Sequence, residues 1–162
     1  LTRKVILNKC KTKNGSIFTT SALSLSPKSK RKDNAMPKIL NVVETAYRAT
    51  IEEQDDTLLW LSHMLKNAGD DISLLLRANA VNYAAKGQDA SGPVFGEAKL
   101  VHPPEIDKDV AKMIEKGAPV YVVEEDARER GLVDSDLISG VKKVKKSSLP
   151  ELMDQHDQVW HW

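Results

Sequence analysis

The 162-residue chain is predicted to fold as a three-layer α/β/α sandwich around a mainly parallel five-stranded sheet. Three observations predict this. Short apolar, β-branched runs recur at residues 38–43, 71–77 and 119–123 without the alternation of a half-solvated strand, the pattern of strands buried on both faces. Segments with helical apolar spacing separate them. Strands joined by crossover helices imply parallel pairing, right-handed connections and helices on both faces.

The first strand is Lys38-Ile-Leu-Asn-Val-Val43. Asp55 and Asp56 then cap a helix carrying Leu58, Leu61, Leu65 and Ala68, and Gly69 supplies its left-handed stop. Trp60 is assigned to packing rather than to a binding platform. The second strand covers 71–77, and the polar, glycine-containing run 86–97 is a long loop that could close as a lid. Pro103-Pro104 opens a helix through Ile106, Val110, Met113 and Ile114, ended by Gly117, and the third strand follows at 119–123. Residues 133–140 read as a short helix with a glycine stop. Val141-Lys-Lys-Val144 suits an edge strand whose lysines discourage sheet-to-sheet association. Ser148-Leu-Pro-Glu151 matches a capping box, worth about 1 kcal/mol. Gln158-Val-Trp-His-Trp162 is the fifth strand, its alternating tryptophans facing either the core or an oligomer contact. The pattern does not give the strand order.

Charge divides the chain at Ala35. Of 24 Lys/Arg and 23 Asp/Glu, residues 1–35 hold nine and one, leaving 15 basic and 22 acidic residues and a net charge of −7 beyond them. An acidic body argues against a nucleic-acid surface. Residues 1–35 are expected to be a disordered basic tail: Lys, Ser and Thr dominate, and Lys28-Ser-Lys-Arg-Lys32 is a basic block. The tail reads as an organellar leader, although such leaders favour Arg, or as sequence outside the native protein, with Met36 the true start. Residues 36–162 form the domain. No apolar run approaches the roughly 20 residues that cross a bilayer. The expected location is cytoplasmic, with no membrane contact. The only cysteine, Cys10, lies in the tail, so the body has no thiol for a disulfide, a thiolate nucleophile or a persulfide.

Three stretches together resemble the DsrE/DsrF-like family: Ile39-Leu-Asn-Val-Val-Glu44, Leu74-Leu-Leu-Arg-Ala-Asn-Ala-Val-Asn-Tyr-Ala84, and Val120 to Gly131 with the Leu-Ile-Ser-Gly that follows. The resemblance spans roughly residues 37–162. It implies a compact α/β sandwich that assembles as homotrimers, hexamers or mixed hexamers. It also implies a persulfide-bearing cysteine a few residues before the Arg-Gly pair, here Arg130-Gly131. The matching position, within a residue or two, is Asp126, and no residue of the body is cysteine. A member lacking the family's cysteine therefore suits binding and assembly accessory to sulfur metabolism, with sulfur relay through its own persulfide excluded.

Candidate sites follow from the rule that open α/β sheets bind ligands beyond their strands' carboxyl ends. Glu44, Tyr47 and Arg48 follow the first strand, and Glu124 and Asp126 follow the third. A Glu44/Arg48/Glu124/Asp126 cluster could supply an acid or base with a raised pKa, or be a plain ion-pair network in which Arg48 neutralises Glu44. Arg77, Asn79, Asn82 and Tyr83 follow the second strand and, with Tyr47, suit a small polar or anionic ligand or a subunit contact. His63, His102, His156 and His161 have no metal-ligand spacing, and the glycines at 87, 92 and 96 make no phosphate loop, so neither metal nor cofactor is expected. The three functional readings are an oligomeric binding protein, an enzyme using carboxylate acid/base chemistry, and a purely structural subunit.

Overall fold

The computed structural model describes residues 36–47, 56–89, 94, 96–97 and 103–162. The basic tail, Arg48, Asp55, His102 and residues 90–93 and 95 of the loop suggested as a lid lie outside the described residues.

In chain order the elements are β1 (Lys38–Val43), α1 (Thr57–Ala68), β2 (Asp71–Leu76), α2 (Ile106–Glu115), β3 (Val120–Val123), α3 (Glu124–Glu129), β4 (Lys142–Val144), α4 (Leu149–Asp154) and β5 (Gln158–His161). A seven-residue 3₁₀ segment occupies Ala78–Ala84, and single 3₁₀ turns occupy Asp134–Asp136 and Lys146–Ser148. The five strands form one sheet in the order β4-β3-β2-β1-β5, parallel throughout. This is the predicted α/β/α sandwich, with β4 and β5 at its edges.

Side-chain alternation divides the core into two unequal layers. Ile39 and Val43, Ile72, Leu74 and Leu76, and Val120 and Val122 point to one face, where they pack on Leu58 and Leu59 of α1 and Ile106, Val110 and Met113 of α2. Leu40, Val42, Leu75 and Val123 point to the other, against Leu149 and Leu152 of α4. Both faces being covered is why the central strands read as continuous apolar runs. One buried polar residue interrupts β1: Asn41 donates to Ser62 Oγ on α1 at 2.8 Å and accepts from the Trp162 indole at 2.6 Å. The chain's last side chain is thereby fastened to the central layer.

Helix boundaries follow the local signals closely in the first half. Asp56 caps α1 by accepting from the N–H groups of Leu58 and Leu59, and Gly69 at φ 100° ends the helix. His63 fixes α1 to α2: its Nε2–H donates to the Asp109 carbonyl, so Nδ1 accepts from Lys116 Nζ. Desolvation, opposed by the Asp109 contact, holds its pKa below the usual histidine range.

Three sequence expectations are corrected. Residues 133–140 form only a 3₁₀ turn, because Leu137 bridges to Ala85 and Ile138 N–H donates to the Ala84 carbonyl, diverting the backbone from helical bonding. Ser148 makes no cap bond: it is already helical after the 3₁₀ turn, and Pro150 removes one of the N–H groups a cap would serve. Trp60 does not pack in the core but stands 49% exposed on the outer side of α1. Three elements are absent from the sequence reading: α3, the 3₁₀ turns of Ala78–Ala84 and the 3₁₀ turn Lys146–Ser148. The second buries Ala80, Val81, Tyr83 and Ala84 without any 3.6-residue period.

Candidate functional site at the strand carboxyl ends

The chain leaves β1 and β2 through two non-glycine residues with left-handed backbone, Tyr47 at φ 58° and Ala78 at φ 49°. Such conformations cost on the order of 1–3 kcal/mol each and persist only where neighbours hold them. Ala78 is held by Asp126, whose Oδ2 accepts from its N–H at 2.7 Å. Tyr47 N–H donates to the Tyr83 hydroxyl.

Asp126 is buried, and both its oxygens are engaged. Oδ1 pairs with Lys146 Nζ at 2.7 Å while Oδ2 takes the Ala78 N–H. Burial by itself would raise its pKa, but the Lys146 and Ala78 contacts, with the nearby Arg77 charge, outweigh it and hold the carboxyl below the usual range. The side chain ties the exit of β2 to α3 and to the turn after β4. Lys146 extends the tie, donating from its backbone N–H to Glu125 Oε2 at 2.9 Å and placing its ammonium 3.4 Å from Glu129. A carboxylate held charged by two donors is a fastening, unlike a base poised near neutral pH.

The remaining predicted residues separate into groups. Glu44 meets Arg77 Nε at 2.9 Å and His161 Nε2 at 3.2 Å. Arg77 Nε–H is buried and points off the hydrogen-bond line, so charge rather than a directed bond holds this pair. The Nη1 and Nη2 groups of Arg77 find no acceptor among the described residues, and the side chain is 31% exposed. Glu124 lies elsewhere: it pairs with Arg128 at 2.9 Å and lines a hollow of about 410 Å³ with Leu132, Val133, Leu137 and Lys143 near the β4 edge. β2 separates the strand ends that carry Glu44 and Glu124, and the two carboxylates share no ion-pair partner among the described residues.

Of the second group, Asn79 accepts from Arg130 Nη2 at 2.7 Å, while Arg130 Nη1 reaches the Asp126 carbonyl at 3.2 Å. Asn82 contributes its carbonyl to Gln88 Nε2 at 2.9 Å. Tyr83 is fully buried, donating its hydroxyl to Asp56 at 2.5 Å. Tyr47 is about half exposed, sets its ring edge-on to Tyr83 at 5.2 Å and donates its hydroxyl to Gln88 Oε1 at 3.2 Å. Sequence reasoning missed His161 and Lys146 as members of this region. The legible signal for Lys146 was the basic run 142–146 facing the acidic stretch after β3; His161 arrives only because β5 pairs with β1.

Among the described residues no three His, Cys, Asp or Glu side chains gather as metal ligands. His63 is occupied as above, and His156 bridges the Leu152 carbonyl and Ser73 Oγ. No helix among the described residues is long and apolar enough to cross a membrane.

A parallel five-stranded sandwich with polar residues clustered past its strand ends defines a class, the small open α/β domains. Solved structures place this chain within it. The ychN protein from E. coli is similar over 78% of this chain and 100% of its own, with a TM-score of 0.59 and 21% identity. BT1422 from Bacteroides thetaiotaomicron, titled a conserved protein of unknown function, covers 80% of this chain and 100% of its own at a TM-score of 0.55 and 17% identity. MTH1491 from Methanobacterium thermoautotrophicum, also titled as of unknown function, covers 76% and 98% at 0.53 and 12%. Identities this low carry the fold alone. No protein-family profile and no curated protein sequence matches the chain.

Proposed function

We propose that this chain is a DsrE/DsrF-like protein without a persulfide cysteine. In this reading it assembles as a homo-oligomer, a trimer or hexamer, and binds a small polar or anionic ligand past the ends of β1 and β2, in a role accessory to sulfur metabolism. The supporting observation is Arg77: its Nε faces Glu44 at 2.9 Å without a directed hydrogen bond, and its two Nη groups make no hydrogen bond to a described residue. A planar fork of free N–H donors suits an oxyanion bound in bidentate fashion. The oriented amide of Asn79 and the guanidinium of Arg130 stand at the start of the next segment. The position that the resemblance assigns to the persulfide cysteine is Asp126, whose engaged carboxylate supports binding over sulfur transfer.

Titration calorimetry of the full chain with sulfite, thiosulfate and phosphate tests the reading. Saturable binding of at least one anion is expected, weakened roughly tenfold or more in Arg77→Ala, since a hydrogen bond to a charged group is worth about 1.5–3 kcal/mol. Arg128→Ala, whose partner is Glu124, leaves binding unchanged. Absence of saturable binding, or binding indifferent to Arg77, overturns the ligand site. Thiosulfate sulfurtransferase turnover by a Cys10→Ser chain overturns the cysteine-free role.

A further inference from the structure

The two edges of the sheet are built differently. β4 presents Lys142 and Lys143, followed by Lys145 and Lys146, with Lys143 tied to Asp134 at 2.6 Å. Charged edges of this kind repel a second sheet. β5, Gln158-Val-Trp-His, carries neither lysine nor carboxylate, and its flank is apolar. Trp160 and Trp162 line a groove of about 490 Å³ with Leu61 and Leu65 of α1. Met64 and Trp60, 42% and 49% exposed, continue the apolar strip along the outer side of that helix, and Val159 is 42% exposed on the strand itself. Helical spacing puts Leu61, Met64 and Leu65 on one flank of α1.

The backbone register fixes what this edge can accept. Trp162 N–H donates to the Val42 carbonyl and the Trp162 carbonyl accepts from Glu44 N–H, so this residue faces β1. In a parallel ladder alternate residues face alternate neighbours, and Val159 and His161 therefore turn their N–H and C=O groups outward. Two outward residues flanking one inward residue form a self-complementary set. A two-fold axis at Trp160 lets Val159 of each copy exchange both hydrogen bonds with His161 of the other, in antiparallel pairing.

We propose that the β5 edge and the adjoining flank of α1 form an isologous interface with a second copy of this chain, joining two sheets into one continuous ten-stranded sheet. Trp160 then meets its symmetry mate across the axis on the α1 side, and the two α1 flanks close over the tryptophans. Trp60, Met64, Val159 and Trp162 supply on the order of 300–400 Å² of exposed apolar surface. Leu61, Leu65, Trp160 and the strand backbone carry this toward the about 800 Å² per partner of a standard interface. His161 also contacts Glu44, so the interface reaches the strand-end cluster. The inference rests on the homo-oligomeric reading above and names the surface that makes one of its contacts.

Native mass spectrometry and sedimentation velocity of the full chain test it. Of the trimer and hexamer named above, the two-fold contact selects the hexamer, so the wild type is expected as an even-numbered oligomer, and a trimer would overturn this interface alone. Val159→Pro removes an outward N–H without touching the ladder to β1, and the pair Trp60→Lys with Met64→Lys charges the flank; each halves the particle mass. Circular dichroism melts identify a variant that fails to fold, and Lys142→Glu on the opposite edge leaves the mass unaltered. An oligomer whose mass survives the β5 and α1 variants, all folded, overturns this interface and leaves the homo-oligomeric reading standing. A monomeric wild type overturns both.

Discussion

Replacing Tyr83 by Phe deletes one oxygen from a contact enclosed by the core. The hydroxyl donates to Asp56 and accepts the N–H of Tyr47, and both Tyr83 and Asp56 are completely buried. Losing a hydrogen bond to a charged group costs about 1.5–3 kcal/mol. The Tyr47 N–H, held in a left-handed turn by the same oxygen, adds up to about 1 kcal/mol once its partial exposure is allowed for. The expected loss is therefore about 3 kcal/mol, which for a folded body of this size lowers the melting midpoint by roughly 10 °C. Asp56 keeps its two cap bonds through Oδ1, so α1 itself should persist. Thermal melts of the two proteins by circular dichroism at pH 7 give the comparison, and a shift under about 2 °C would refute the reasoning, which follows from the price of an unmade buried bond. Burial first, then the Asp56 contact, raises the phenol pKa above its ordinary 10.0. Because the folded value lies above the unfolded one, the stabilisation is complete below pH 10 and is lost as pH rises through the folded value. Phe cannot titrate, so the gap between the proteins should narrow above pH 10.

Two further substitutions examine the scaffold of the site. Asp126→Asn keeps an acceptor for Ala78 N–H but loses the charge facing Lys146, an expected cost of about 1–2 kcal/mol given that lysine's exposure. The folded carboxyl has a lowered pKa, so its contribution is present above the unfolded value of 3.8 and disappears as pH falls through the folded one. Urea midpoints for the two proteins should therefore converge in acid; a constant gap down to the lowest accessible pH would contradict the assignment. Gly140→Ala forces a side chain onto φ 89° and sets its Cβ 2.8 Å from Ile114 Cγ2. An expected loss of about 1–3 kcal/mol would appear as a lower urea midpoint, and an unchanged midpoint would show that β4 can retreat from α2.

The sequence by itself determined the class of fold and most of its parts. Apolar runs at 38–43, 71–77 and 119–123 became the buried strands, and the Asp56 cap and Gly69 stop bound α1 because both act within one turn of the chain. Local signals failed where the backbone's partners were remote: 133–140 surrendered its helix to Ala84 and Ala85, and Ala78–Ala84 folded tightly through burial rather than period. The polar residues of the candidate site were legible as lying past the strand ends, but not which of them meet. Glu44 and Glu124 look equivalent along the chain, each closing a strand, yet β2 lies between those strands and gives each carboxylate its own cation. Only the order β4-β3-β2-β1-β5 brings His161 to Glu44, Lys146 to Asp126 and an uncharged tryptophan edge to the surface. Propensity and capping depend on neighbours a few residues away, whereas strand order is set by which buried faces fit together across the whole sheet.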